Sequence, residues 1–367
     1  VRGVGRMGLT APRSMLDMGN SGTAMRLLTG LLAGQGFASR LTGDDSLLSR
    51  PMERVARPLR EMGARLTTSA AGTPPVEIAA VSSLHAIDYV LPIPSAQVKS
   101  AILLAGIYAE GTTCVSQPEP SRDHTERMLR AMGYPCEIAG AEVCIRGGGE
   151  LTATDIEVPG DLSAAAFFIA GACTSPGSAI TLEHVGVNPT RVGVITLLRQ
   201  MGADIRLYRE RDVGGEPVAD IDVHYAPLHG IDVPKAQVPL AIDEIPILCV
   251  AAACAQGTTR VSGAAELRHK ESDRIAVMVA GLRGLGIDVE EFEDGLSVVG
   301  GQLSGGGVNS GGDHRVAMAM AIAGLNAAGP VTITDCDNVT TSFPDFPSLA
   351  RSLGLSLHTR QNGSIAG

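Results

Sequence analysis

A repeat of about seventy residues limits what this chain can fold into more than any other feature. The motif Arg-x-Met/Leu-Gly occurs five times, at Arg60–Gly63, Arg130–Gly133, Arg199–Gly202, Arg283–Gly286 and Arg351–Gly354. The arginines are 70, 69, 84 and 68 residues apart. Each glycine sits where a helix C-cap belongs, with the Arg in the last turn. Alternating segments such as Ala64–Thr68 and Ala203–Leu207 follow and read as strands. A second motif is an apolar helix of small residues closed by Gly36, Gly111, Gly177, Gly257 and Gly329, at steps of 75, 66, 80 and 72. A β-branched strand follows four of these glycines closely, and the match after Gly36 is weaker. The order is the same in all five copies: apolar helix, strand, charged amphipathic helix, strand and one further strand. Such an α/β unit is longer than solenoid repeats.

The copies are unevenly placed. Two apolar helices lie before about residue 155 and three after it. A chain of 367 residues is also too long for one ordinary core. Two domains are therefore expected, residues 1–159 and 160–367, with three units each and the first domain one unit short. Residues 1–19 read as the tail of the incomplete unit, and position 1 is Val rather than Met. The expectation is an N-terminal truncation of about 70 residues.

Composition narrows the class. Trp is absent and aromatic residues make up 3%, so the cores must be aliphatic. A net charge of −10 argues against nucleic acid as the main partner, although a local basic cleft can still focus a field on an anion. The seven Cys show no CxxC and no Cys/His metal spacing, and they read as reduced cytosolic thiols. The longest apolar runs, near residues 164–173 and 245–255, are too short to span a bilayer.

Function is expected where strands hand over to helices, because helix N-termini favour anions. The apolar helices begin at Asn20–Thr23, Ser95–Gln97, Asp161–Ser163, Asp243–Glu244 and Asp313–Arg315. The charged helices begin near Arg50, Ser121–Asp123, Asn188–Arg191, Arg268–Arg274 and Ser342–Asp345. Asp, Ser and Asn at such places are ordinary N-caps. Arg is not. Arg50, Arg122, Arg191, Arg274 and Arg315 all fall in or just before a first turn, where the helix end is already positive. Their recurrence suggests a dense anionic ligand gripped by guanidinium groups. The run Arg268–Arg274 is the strongest case, with five charged residues in seven, and reads as the first turn of a helix. Gly22 permits close backbone approach to a ligand. No Walker loop is present, and Gly3–Gly8 spells a dinucleotide fingerprint without a preceding strand.

These stretches resemble the 3-phosphoshikimate 1-carboxyvinyltransferase family, the 5-enolpyruvylshikimate-3-phosphate synthases. The matching segments are Gly19–Arg26, Ser49–Met52, Ser95–Ser100, Ser121–Glu126, Ile242–Pro246, Glu266–Arg274, Asp313–Arg315 and Ser342–Asp345, in family order over the whole chain. The spellings at Ser95 and Ser121 look like the bacterial class II form. The resemblance implies a two-domain enolpyruvyl transferase fold of βαβαββ units, three per domain, with helix N-termini facing an interdomain cleft. It also implies an N-terminal substrate-binding segment that has no counterpart in this sequence.

The implied reaction joins shikimate-3-phosphate to phosphoenolpyruvate with no metal or organic cofactor. By resemblance, Asp243 takes the base role and binds shikimate-3-phosphate, and Glu271 is the acid that protonates C3. Ser95, Ala96, Gln97, Arg122 and Lys270 correspond to further shikimate-3-phosphate ligands. Gly22, Arg50, Gln97, Arg274 and Arg315 correspond to the phosphoenolpyruvate site. His314 beside the clamp fits a structural hydrogen bond, and Asn20 and Thr23 fit shaping of the Gly22 turn. Two positions depart from the family pattern: Thr341 stands where some members carry a clamp Lys, and Glu266 where some carry Asn. The resemblance further implies a monomeric, cytoplasmic enzyme that binds neither nucleic acid nor membrane, with glyphosate as an inhibitor through Gly22. Two alternatives are a sister transferase acting on UDP-N-acetylglucosamine and a non-catalytic remnant that keeps an anion-binding cleft. The sister enzyme uses a reactive Cys in the loop matching residues 43–51, which contains none here. Without the N-terminal segment, the chain is expected to be impaired.

Overall fold

The computed structural model describes residues 2–360. The chain forms two compact units, Val1–Glu157 with Val213–Glu216, and Val158–Asp212 with Pro217–Gly367. The sequence boundary at 159/160 lies two residues further on. The tetrapeptide 213–216 groups with the first unit: Arg127 Nη1 donates to the Gly215 carbonyl at 3.1 Å and His124 Nδ1 lies 2.7 Å from Glu216 Oε1.

Among the described residues, ten helices have seven or more residues, and they alternate in kind. The apolar ones are α1 (Gly22–Ala33), α3 (Ala96–Gly106), α5 (Leu162–Thr174), α7 (Ile245–Ala253) and α9 (His314–Ala323). The others are α2 (Glu53–Glu61), α4 (His124–Ala131), α6 (Gly193–Gln200), α8 (Arg274–Gly284) and α10 (Phe346–Ser352). In every copy the segment before the apolar helix pairs in parallel with the segment after it. The pairs are Leu16–Asp17 with Ser39–Thr42, Asp88–Val90 with Thr112–Ser116, Gly160 with Val185, Asp232 with Arg260, and Gly306–Asn309 with Val331–Thr334. Four copies add an antiparallel hairpin after the even-numbered helix, such as Leu66–Thr67 with Val76–Ile78 and Val289–Phe292 with Gly295–Val299. The repeat read from the sequence is therefore the repeat of the fold, built as open sheets.

The recurring Arg-x-x-Gly closes each even-numbered helix by one device. Gly63, Gly133, Gly202, Gly286 and Gly354 all take positive φ, between 75° and 100°. The next residue donates back to the carbonyl five positions earlier, as Ala64 to Leu59 and Ile287 to Leu282. Each Arg then reaches the carbonyl six residues on: Arg60 to Leu66, Arg130 to Cys136, Arg199 to Ile205, Arg283 to Val289 and Arg351 to Leu357. The side chain thus ties a helix end to the strand or extended segment that follows.

Each unit has its own aliphatic core, as the lack of Trp requires. In the second unit Phe167 and Phe168 of α5 pack edge-on or tilted against Phe343 and Phe346, at centroid distances of 5.6–6.2 Å. These contacts dock α10, and such aromatic pairs add about 0.5–1.5 kcal/mol beyond area burial. In the first unit α1 lies directly on α3. A Cβ on Gly30 would stand 2.2 Å from the Ala101 carbonyl oxygen, so only glycine permits this approach.

Three sequence expectations need correction. Cys114 and Cys144 are joined in a disulfide rather than reduced. They are direct cross-strand partners in the pairing of Thr112–Ser116 with Glu142–Arg146, which a scan of linear spacing does not detect. Residues Lys235–Ala253 form a continuous helical stretch of 19 residues with mean hydropathy 1.5, longer than the apolar run expected, but 67% of its apolar window is buried inside the protein. Arg268–Arg274 is not a helical turn. A 3-10 helix spans Ala265–His269, the chain turns at Lys270 with ψ −149°, and α8 starts only at Arg274. The physical reason is Asp273, whose side chain accepts from Ala276 N at 3.0 Å and so caps the helix two residues later than Glu271.

Candidate active site

In the first unit the close packing of α1 on α3 brings their N-termini together. Ser95 caps α3 by accepting from Val98 N at 3.4 Å, and Ala96 and Gln97 form its first turn. Gln97 Nε2 donates to Thr23 Oγ1 at 2.7 Å, while its Oε1 accepts from Arg26 Nη1. Gly22 opens α1 behind the cap Ser21. A Cβ there would lie 3.1 Å from Arg26 Nη1 and 3.3 Å from Arg50 Nη1, so the glycine sits between two guanidinium groups. Arg50 Nη2 donates to Asn20 Oδ1 at 3.0 Å and to Ser46 Oγ at 3.2 Å. Arg50 itself precedes α2 by three residues, after the short helix Asp45–Leu48, rather than opening a helix.

Arg26 was not singled out from the sequence, although it lies one turn after Gly22. It is 5% exposed, and its Nε is buried without a hydrogen-bond partner. Burial, then Arg54, then Arg50 lower its pKa to about 10. Crowded guanidinium groups of this kind favour an anion. Arg122 lies between Ser121 and Asp123, just ahead of α4, and is partly buried. Ser121 bonds Gln117 at 2.8 Å and does not cap α4. The pairs Lys99–Glu126 at 2.5 Å and Ser100–Thr125 at 2.7 Å join α3 to α4, one turn beyond Gln97 and Arg122.

In the second unit three carboxylates, among them the expected Asp243 and Glu271, surround one guanidinium. Arg274 is 1% exposed. Its Nε donates to Asp313 Oδ2 at 2.7 Å, its Nη1 to Asp243 Oδ1 at 3.4 Å and its Nη2 to Glu271 Oε2 at 2.5 Å. Lys270 Nζ stands 3.7 Å from Asp243 and 2.9 Å from Glu266. Arg315 Nη1 donates to the Asp243 carbonyl at 3.3 Å and lies 3.7 Å from Glu244 Oε1. Asp243 is not an N-cap, as its position suggested. It belongs to the 3-10 turn Ile242–Glu244 and presents its carboxylate to Lys270 and Arg274.

Asp313 anchors this cluster. It is fully buried, caps α9 through Arg315 N at 2.9 Å, and accepts from Ser272 Oγ at 3.2 Å. Burial raises its pKa, but Arg274 outweighs that, so its carboxyl lies below the usual range. Burial and then Arg315 push the His314 pKa down, against the opposing pull of Asp313 and Glu271.

Two residues at the expected start of α6 differ from expectation. Asn188 does not cap α6; its Oδ1 accepts from Thr190 N and Oγ1, five residues before the helix. Arg191 is spent internally on Asp161 at 3.0 Å and on Ser163 Oγ. Glu244 and Ser163, both buried and bonded to each other, were also missed. Only their adjacency to Asp243 and Asp161 marked them in the sequence.

A family model described as EPSP synthase (3-phosphoshikimate 1-carboxyvinyltransferase) matches residues 1–349. A 3-phosphoshikimate 1-carboxyvinyltransferase of Methylococcus capsulatus is 59% identical over 357 residues, covering 97% of this chain and 82% of that protein. One from Legionella pneumophila is 55% identical, covering 96% and 81%. The structure of EPSP synthase from Acinetobacter baumannii superposes with a TM-score of 0.90 at 54% identity, over 98% of this chain and 83% of that one. The enolpyruvyl transferase NikO from Streptomyces tendae shares the fold, with a TM-score of 0.68 at 21% identity over 89% and 75%.

Proposed function

We propose, on the premise that the chain belongs to the EPSP synthase family, a role for each residue of the two clusters. The reaction is the family's: the enolpyruvyl group of phosphoenolpyruvate passes to the 5-hydroxyl of shikimate-3-phosphate, and phosphate is released. UDP-N-acetylglucosamine as acceptor has weaker support, because the matching family and relatives carry the shikimate name and the loop 43–51 contains no Cys.

In the second unit Asp243 binds the 5-hydroxyl and takes its proton as the oxygen bonds to C2 of the enol. Glu271 gives a proton to C3, so a methyl group forms on a tetrahedral carbon. Collapse returns a proton from C3, breaks the C2–O bond to phosphate and restores the double bond. Lys270 binds shikimate-3-phosphate, while Arg274 and Arg315 neutralise phosphoenolpyruvate. In the first unit Ser95, Ala96, Gln97 and Arg122 bind shikimate-3-phosphate, and Gly22, Arg50 and Gln97 bind phosphoenolpyruvate. Glyphosate competes for the latter set.

The observation that carries this reading is that Asp243 and Glu271 are held on adjacent branches of the single buried guanidinium of Arg274. One rigid fork thus sets two carboxyl groups side by side, as a paired base and acid require. Glu271→Gln is expected to lower the rate of phosphate release by about 10²–10⁴-fold, the usual yield of a general acid. It should also abolish exchange of solvent deuterium into C3 of phosphoenolpyruvate. Exchange at the unmodified rate would refute the assignment.

A further inference from the structure

The Glu244 carboxyl group lies in a place where it touches little water. It is 3% exposed, and its neighbour Ser163 is 2% exposed. The direction of the hydrogen bonds between them is fixed by chemistry. Ser163 Oγ accepts from Arg191 Nη2, so its single proton must point to Glu244 Oε1. Arg191 is held in turn by Asp161 at the start of α5. The chain therefore runs from Asp161 through Arg191 and Ser163 to Glu244, each donor polarised by the one behind it. It ends at Arg315, whose Nη1 lies 3.7 Å from Glu244 Oε1. Arg315 Nη1 also donates to the carbonyl of Asp243, in the same 3-10 turn as Glu244.

We propose that Glu244 is a positioning residue: fed through Ser163 and Arg191, its carboxylate fixes the guanidinium of Arg315 and so sets affinity for phosphoenolpyruvate. The inference rests on the reading that Arg315 binds phosphoenolpyruvate. Arg315 is 18% exposed at its side chain, so it reaches solvent while its Nη1 is tied down. Glu244 is the carboxylate paired with Arg315, whereas Asp313 and Glu271 pair with Arg274. Losing the Glu244 charge leaves Arg315 one neutral anchor, the Asp243 carbonyl, and frees its side chain to turn.

The test compares Glu244→Gln, Ser163→Ala and Arg315→Ala with the unmodified chain. Calorimetry gives Kd for shikimate-3-phosphate alone, and the dependence of phosphate release on phosphoenolpyruvate gives its KM apart from kcat. Thermal melting reports folding, and Glu244→Asp serves as the conservative rescue. Glu244→Gln is expected to weaken phosphoenolpyruvate on the order of tenfold. Ser163→Ala should weaken it less, and Glu244→Asp should recover part of the loss. Shikimate-3-phosphate should weaken less than phosphoenolpyruvate, because Glu244 pairs with Arg315 while the Asp243 carboxylate is held by Lys270 and Arg274. Equal weakening of both ligands, or a lower melting midpoint with unchanged phosphoenolpyruvate affinity, would assign Glu244 to folding alone and overturn the proposal. Should Glu244→Gln fail to fold, Ser163→Ala carries the same test with a smaller change. If Arg315→Ala itself leaves phosphoenolpyruvate affinity unchanged, the reading of Arg315 fails and the inference falls with it. If only Arg315→Ala weakens binding, the inference alone fails.

Discussion

Arg274 is surrounded by three carboxylates, so its charge is engaged before any substrate arrives. Five arginines at helix starts looked alike in the sequence, and the structure divides four of them by what lies opposite. Arg191 is committed to Asp161 and Ser163, and Arg274 to Asp243, Glu271 and Asp313. Arg50 bonds Asn20 and Ser46 among its partners, while Arg315 bonds the Asp243 carbonyl and lies 3.7 Å from Glu244. An anion that binds Arg274 must displace Asp243 or Glu271 from it. Gly22 gives the residue scale its sharpest prediction. A methyl group there would meet only the ends of two flexible guanidinium groups, and no strained φ forbids it. Gly22→Ala should therefore cost no more than about 1 kcal/mol of stability, since the two guanidinium ends need give only by a few tenths of an ångström. It should nevertheless crowd an anion that uses Arg50. Inhibition by glyphosate at fixed phosphoenolpyruvate is expected to weaken by more than about tenfold, equivalent to ~1.4 kcal/mol. Equal inhibition of both proteins would count against placing that anion beside Gly22.

At the scale of the element, α3 and α4 show how the first unit holds Gln97 and Arg122 at a set spacing. Lys99 and Glu126 are buried almost completely, in side chains 2% and 1% exposed. A lone buried charge costs far more than the pair contributes. Lys99→Met should therefore destabilise the protein by about 3–5 kcal/mol, while Lys99→Met with Glu126→Leu should recover most of that loss. Urea denaturation of both variants checks it. If the double variant is as unstable as the single one, the pair is not what joins the helices. Nothing in the sequence announced this pair, since Lys99 sits inside an apolar helix and its partner is 27 residues away on the charged helix of the same copy of the repeat. The helix ends were legible for the opposite reason. The Arg–Gly closure is completed within about six residues, so local sequence contains all its parts. The start of α8 was misread because a run of charge resembles a first turn, whereas one side-chain bond from Asp273 decides where the helix begins. The cross-strand disulfide escaped for a related reason, as it depends on register rather than spacing.

Across the whole molecule, the groups that titrate with folding are unevenly shared between the two units. Three carboxyls of the second unit, Asp220, Asp273 and Asp313, have lowered pKa values, against Glu53 in the first. A carboxyl with a depressed folded pKa stabilises above its unfolded value, and that contribution is lost as pH falls through the folded one. His314 acts earlier on the pH scale. Its folded pKa lies below 6.5, because burial and Arg315 disfavour the imidazolium. Below pH 6.5 the unfolded chain takes up a proton that the folded chain refuses, so stability present above that value falls as pH drops towards the folded pKa. One such proton gives a limiting slope of about 1.4 kcal/mol per pH unit. Amide hydrogen exchange read by mass spectrometry can follow the units separately. The second unit should lose protection between pH 7.5 and 5.5 more than the first does, and His314→Gln should remove the difference. An equal loss in both units, or one that survives in the variant, would mean that the cluster of Arg274, Asp313 and Arg315 leaves His314 free to protonate in the folded state. It would then be a weaker electrostatic trap than its burial implies.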